Sequence, residues 1–439
     1  MRAPQNAVSP ASPRQGLGVG RVTGLAAASV AGRVPGFLIP ILVAAVFGAG
    51  GQTDAYFVVY NAVLLVGGTL GQAVDVSIVP FAARRLLMTG GQPAAFLAKT
   101  SRRVLLGAGV AWLAIVPILL AASRSFGGAV ALYGVAFMPL VLCWTWASVY
   151  SGTLVAQGRI AEATASLAWR GIGGLIGLAL APAGAGLWAV GCGLGAGELV
   201  RVLWLRRRAF VNAELLQTHA SFTPGGSFGR ALVPILVAGA AVTAVPVLEK
   251  VLALGLGAGA ASHLEYATRL LVVPAVLFDG AIAPHFLSAW SQLRATDGRA
   301  LSRHEIGSAL GIAFLTAAPL AGAVWLFAPE VVSVLLHHGR FTALDAASVV
   351  ALLRLMALAF AGNMCALVTE RAYLATQRNT LLATLSLARA GVRLLGIALL
   401  LGSAGIRAFP IAYALSEWTY LLVLWSFLPR RPDTSRDSH

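Results

Sequence analysis

Residues 31–40 read AGRVPGFLIP and lie inside an apolar run that extends from 21 to 47. A run of that length exceeds the roughly 20 residues an α-helix needs to cross a hydrocarbon core about 30 Å thick. It is rich in Gly, Ala and Leu and lacks the strict alternation of a barrel strand. Arg33 near its centre is the exception. An arginine at mid-membrane costs about 2.5–3.5 kcal/mol on translocon scales, so such a residue is expected to face a bundle interior or a wet cavity.

Working outward, similar runs lie near 54–82, 104–123, 128–155, 160–182 and 184–205, and then near 229–256, 264–290, 306–328, 344–369, 379–402 and 406–428. The composition agrees: the chain of 439 residues is 58% hydrophobic and 11% charged, with a mean hydropathy of +0.81, far from ordinary soluble domains. The expected fold is an all-α polytopic membrane protein of about twelve transmembrane helices. A tail at 1–20 precedes a six-helix lobe at 21–205, a polar connector at 206–228 leads to a second six-helix lobe at 229–428, and a tail at 429–439 follows. The first run is read as a retained span rather than a cleaved signal, because it resumes beyond Arg33 and continues to Phe47.

The formal charge of +16 does not indicate a nucleic-acid partner, because the basic residues are scattered between apolar spans. With the N-terminus in the cytoplasm, 21 of the 32 Lys and Arg residues fall on the inner side, eight within spans, and only Arg124, Arg340 and Arg407 outside. That asymmetry is what the positive-inside rule requires of a chain with both termini in the cytoplasm.

The halves resemble each other. A shift of 220 residues lays LVAQGRIAEATASLAWRG (154–171) on LATQRNTLLATLSLARAG (374–391), matching Gln157, Thr164, Ser166 and Gly171 among others. A shift of 209 sets Gly48-Ala49-Gly50 against Gly257-Ala258-Gly259. Six spans per half place the repeats in parallel orientation, as two bundles related by a pseudo-two-fold axis along the membrane normal, with a substrate site expected where they face each other.

Charges inside the membrane gather on the opening helices of both halves: Arg33 on the first, Asp75 on the second, Glu249-Lys250 on the seventh, and Glu265, Arg269 and Asp279 on the eighth. Arg33, Lys250 and Arg269 give the expected cavity a basic character, and a guanidinium fork suits a phosphate or pyrophosphate; the alternative is internal ion pairing that holds helices in register. Arg170, Arg201, Arg389 and Arg393 lie near span ends or on the periphery, where snorkelling to an interface is expected. Pro35, Pro40, Pro234, Pro246, Pro274 and Pro284 mark the same opening helices as the ones expected to bend.

Enzymatic chemistry finds little support. Lys99 and Lys250 are the only lysines, so no Gly-Lys-Ser/Thr phosphate loop exists. GGSFG (225–229) satisfies a nucleophile-elbow pattern in letters but follows no strand, and is read as a flexible linker. His337-His338 has no carboxylate or thiol at metal-ligand spacing, and Cys143, Cys192 and Cys365 read as small core residues. No cofactor and no metal are expected.

FGAGGQTDAYFVVY (47–60), YATRLLVVPAVLFDGAIAPHFL (266–287) and LLHHGRFTALDA (335–346) resemble the MurJ/MviN family of lipid II flippases, within the multidrug, oligosaccharide-lipid and polysaccharide exporter superfamily. The resemblance spans essentially the whole chain, with twelve helices where the family usually has fourteen. It implies two lobes around a cationic cavity in the bacterial inner membrane, moving a polyprenyl-pyrophosphate-linked saccharide by alternating access, with envelope-synthesis proteins as further partners. Arg33, Asp54 and Arg269 fall on functional positions of the family and, with Lys250, form the expected substrate-binding set. Asp75, Glu249, Glu265 and Asp279 are their expected charge partners. The family's second arginine in helix 1 falls at Ile39, its arginine pair in helix 2 at Gly67 and Gly68, and its glutamate in helix 8 at Val272. Two other functions stay open beside the flippase: a non-transporting membrane scaffold of envelope synthesis, and a cation-coupled exporter of the same superfamily.

Overall fold

The computed structural model describes residues 19–88, 94–122, 127–157, 159–211, 228–275, 286, 290, 301–376 and 378–428. Twelve long helices cover nearly all of them. In the first half, α1 is Val19–Phe47, α2 runs from Gly51 to Met88 through a π-helical turn at Leu64–Gly68, and α3 is Ala94–Ala122. Next come α4 (Gly127–Ala156), α5 (Ile160–Ala165 and Leu167–Leu180) and α6 (Trp188–Val211). In the second half, α7 is Phe228–Leu254, α8 is described over 260–275, and α9 is Arg303–Leu326. A short helix, Ala328–Leu335, leads to α10 (Ala343–Ala375), α11 (Asn379–Ala404) and α12 (Ala408–Ser426). Among the described residues nine runs are long and apolar enough to cross a membrane, the last, Thr380–Ser426, holding both α11 and α12.

Several expectations change. Helix α1 is continuous through Pro35 and Pro40, and departures from α-helical hydrogen bonding occur at the π turn of α2 and at Ser166 in α5. Gly67 and Gly68 expose the α2 backbone to the Trp144 ring, which a Cβ at either position would meet at 3.4 Å, and π turns commonly mark such functional irregularities. Phe228 and Gly229, the end of GGSFG, open α7 rather than belonging to a linker, while 225–227 lie outside the described residues. Cys365 is buried and Cys143 partly so, but Cys192 is exposed on the outward face of α6. Asp279 and the two tails at 1–18 and 429–439 lie outside the described residues.

The pseudo-symmetry is written in side-chain contacts. Arg170 of α5 donates to Glu198 of α6 at 2.6 Å, and Arg389 of α11 donates through Nε to Glu417 of α12 at 3.0 Å, each pair 28 residues apart. Ser166 accepts from Arg201 of α6, and Ser386 bonds Tyr420 of α12. The serines correspond at a shift of 220 and the arginines at 219, and the one-residue difference coincides with the irregular turn at Ser166.

Within the first lobe α5 and α6 approach through glycine. A Cβ at Gly173 or at Gly193 would lie 2.3 Å from the other's carbonyl oxygen, and one at Gly177 only 2.2 Å from that of Ala189. Small residues four apart let helices pack backbone to backbone in lipid, where van der Waals contact supplies much of the association. Gly193→Val has no flexible neighbour to displace, so it should part α5 from α6 and destabilise the detergent-solubilised protein by more than the roughly 1–3 kcal/mol of ordinary overpacking. Gly311 on α9 has nothing within 4 Å of its Cβ direction, and Gly311→Val should leave the melting curve unchanged. Equal stability of the two variants would contradict this packing.

Candidate functional site

The lobes meet through α2 and α7. The hydroxyls of Thr69 and Thr243 lie 2.6 Å apart, and a Cβ at Gly239 would stand 3.0 Å from Thr69. At one end of this seam the two duplicated glycine turns face each other. Asp54, in the first turn of α2, accepts from the backbone N–H of Gly259 at 2.6 Å, the N–H of Ser262 at 2.7 Å and the Ser262 hydroxyl at 2.6 Å. It thus satisfies from the other lobe the orphan donors that open α8, where a carboxylate is favoured by the helix dipole.

The GRFTALDA turn completes this closure. Gly339, at φ 63°, brings the chain so near that a Cβ would lie 2.1 Å from the carbonyl oxygen of Ala45. The Arg340 N–H donates to that same oxygen at 2.9 Å. Phe341 is buried against Tyr266 with ring centroids 5.5 Å apart, and Tyr266 donates to the Gly48 carbonyl at 3.0 Å. Thr342 caps α10 and pairs reciprocally with Asp345, whose other oxygen holds His263 at 2.8 Å. The motif is therefore a clasp between the end of α1 and the start of α8.

Beside this closure lies a cavity of about 480 Å³ between α1, α2, α4, α5, α6 and α8, with Arg33, Arg170 and Arg269 among its lining residues. Each arginine is set differently. Arg33 is exposed to the cavity and makes no ion pair or hydrogen bond among the described residues. Arg269 donates to Glu265 at 2.7 Å and lies 5.1 Å over the Tyr60 ring. Arg170 donates to Glu198 and stacks 3.7 Å over Trp144, whose indole beds on the glycines of α2.

Both carboxylates are buried and each serves two cations. Glu265 takes Arg269 and Lys250, the latter at 3.3 Å, and accepts from Asn61 of the opposite lobe at 3.0 Å. Glu198 takes Arg170 and Arg201, both at 2.6 Å. Of the residues named from sequence, Arg33 and Arg269 line the cavity together, while Lys250 is buried against Glu265 and Asp54 lies in the closure. Glu249 is held not by its neighbour Lys250 but by Arg393 of α11, in two parallel bonds of 2.6 and 2.8 Å. Asp75 is half-buried on α2, beneath Gly152 of α4.

Arg170, Arg201, Arg389 and Arg393 are not snorkelling residues. All four are ion-paired inside their lobes, at Glu198, Glu417 and Glu249. Arg170 is the cavity residue that sequence reading missed; the signal for it was Glu198, a lone carboxylate 28 residues on that needed a counter-charge. Ile39 and Val272, where the family pattern is charged, line the cavity as apolar surface.

Three charge-assisted bonds to Asp54, each worth roughly 1.5–3 kcal/mol, make this carboxylate the main tie of the closed end. Asp54→Asn removes the charge and sets amide N–H groups against backbone donors. Spin labels at Gln52→Cys and Ala258→Cys, both exposed positions, should show short-range dipolar broadening in the parent background and lose it in Asp54→Asn. Unchanged broadening would show that the ends are tied elsewhere.

A family model described as lipid II flippase MurJ matches residues 43–437. By sequence alone, no curated protein gives a significant match. Among solved structures, the lipid II flippase MurJ in an inward closed conformation superposes with a TM-score of 0.74 at 16% identity, covering 91% of this chain and 86% of that one. An inward-facing multidrug resistance MATE transporter of the MOP superfamily gives 0.71 at 15% identity, with 92% and 96% covered. A MOP superfamily transporter from Pyrococcus furiosus, described as having a binding pocket of reverse polarity, gives 0.66 at 14% identity, with 92% and 94% covered. The structural likenesses establish the fold, and the match over residues 43–437 establishes that this chain belongs to the lipid II flippase MurJ family.

Proposed function

We propose that the chain is a flippase that carries a polyprenyl-pyrophosphate-linked saccharide across the bacterial inner membrane by rocking its two lobes about the cavity. The observation that carries this reading is the charge left over beside the cavity. Arg170 and Arg201 against Glu198 leave +1, Lys250 and Arg269 against Glu265 leave +1, and Arg33 adds a third. Two of these charges remain even when Asp75, which acts on Arg201, is ionised; such a cationic membrane cavity fits a pyrophosphate, and guanidinium forks supply the paired donors it accepts. Arg33 and Arg269 make contact in this reading, with Arg170 joining them, whereas Lys250 holds Glu265 in place and Asp54 holds the closed end. Nothing in the cycle requires covalent chemistry; the head binds, the closure opens, and the head is released.

Arg33→Ala, Arg269→Ala and the double variant should insert and fold, yet each should lower translocation of lipid-linked saccharide in reconstituted vesicles about tenfold or more, the worth of one charged hydrogen bond. The double variant should be little worse than either single one, because groups that share a ligand lose less than additively. Arg33→Lys should also be impaired, since lysine keeps the charge without the fork. A parent protein that moves none of the pyrophosphate lipids offered under a membrane potential or ion gradient, and still complements a deletion strain with both arginines replaced, would identify a scaffold instead.

The orientation we propose has both termini in the cytoplasm and the Asp54 closure facing outward. Ser262 is fully buried against Asp54, so the exposed Ala258 is the informative position. In a background without native cysteines, an impermeant thiol reagent added outside should label Ala258→Cys and not Thr218→Cys in the connector. The reverse pattern would invert the topology.

A further inference from the structure

Asp75 stands apart from the other described intramembrane carboxylates. Glu198, Glu249, Glu265, Glu370 and Glu417 each have an arginine or lysine within ion-pair distance, and Asp54 has three hydrogen-bond donors. Asp75 makes no ion pair among the described residues, and its Oδ1 is buried without a hydrogen-bond partner. Helix α4 closes over that atom: a Cβ at Gly152 would lie 3.2 Å from Oδ1 and 2.7 Å from the Asp75 carbonyl oxygen. The groups that act on the carboxylate are the Ser151 hydroxyl of α4 and, at longer range, the Arg201 guanidinium of α6. Arg201 is already engaged by Glu198 and Ser166. Helix α7, the other neighbour of α2, has no ionisable residue between Arg230 and Glu249, and Lys99, Arg102 and Arg103 of α3 are exposed.

We propose that Asp75 is a proton-binding site whose occupancy sets the affinity of the interlobe cavity for an anionic headgroup. This rests on the reading of that cavity as an anion site. The step is simple: a proton from water adds to a carboxylate oxygen and leaves a neutral acid, with no other bond made or broken. Asp75 is half-buried rather than sealed, which leaves a route for exchange. No cation is paired with Oδ1, and α4 closed over it leaves room for a proton rather than for a further side chain. When ionised, Asp75 offsets the surplus charge of Arg170, Arg201 and Glu198; when protonated, it leaves that surplus of +1 acting on the cavity through Arg170. Headgroup and proton therefore favour each other's binding, by the same factor in both directions.

Two measurements on the full chain test this. Infrared titration of the detergent-solubilised parent should show the carbonyl stretch of a protonated carboxyl group that is absent in Asp75→Asn; no such band at any pH overturns the proposal. Binding of farnesyl pyrophosphate should then be followed from about pH 5 to about pH 9, the span over which buried carboxylates titrate. Asp75→Asn mimics the protonated side chain, and the ratio of parent to variant affinity removes the ligand's own titration. That ratio should start near one at low pH and fall at least about fivefold as pH rises, the lower end of ordinary coupling between sites. A ratio constant with pH overturns the linkage even if the band is present. Absence of farnesyl pyrophosphate binding at every pH overturns the anion reading of the cavity, and the linkage with it.

Discussion

A carboxylate buried at membrane depth has to be compensated, and the way Glu265 is compensated organises this protein. It draws Arg269 from its own helix, Lys250 from α7 and Asn61 from the opposite lobe into one cluster. Either cation alone still pairs the acid, whereas losing both would leave a buried charge uncompensated, at a cost of about 3–5 kcal/mol; the shared acid thus holds α2, α7 and α8 in one register. Glu198 plays the same part in the first lobe with Arg170 and Arg201. Each acid is shared by two bases, so each cluster holds its helices and still presents positive charge to the cavity.

The closed end uses a different device. There a carboxylate of one lobe caps the helix of the other, and backbone amides supply two of its three donors. Such a tie is strong in one geometry and vanishes when the helix start moves by a few ångströms, because hydrogen bonds are short-ranged and directional. Packing alone would yield more gradually. The combination of a charged, paired seam in the middle and a breakable cap at one end suits the proposed rocking motion about α2 and α7.

Much of this was legible in the sequence. Apolar runs located the helices, and the cost of intramembrane charge singled out Arg33 and Arg269 and placed them at one cavity. Pairing was less legible, because neighbours in sequence point about 100° apart on a helix. Glu249 accordingly meets Arg393, 144 residues away, rather than Lys250. Arg170 was misread for a related reason: an arginine near a helix end can snorkel or turn inward, and only the facing helix, with Glu198, decides. Proline marked helices that lipid lets run on through it, and α1 is continuous through Pro35 and Pro40, whereas the π turn of α2, which lies against Trp144, has no sequence signal beyond Gly67 and Gly68.

The central claim is that three guanidiniums converge on one anionic headgroup between the lobes. Its most direct test is a structure of the protein with a polyprenyl pyrophosphate bound. The account predicts pyrophosphate density in the interlobe cavity, within hydrogen-bond distance of Arg33, Arg170 and Arg269, with Glu198 and Glu265 still engaged by their cations. Density for the headgroup elsewhere, or a cavity holding only the hydrocarbon tail, would contradict it.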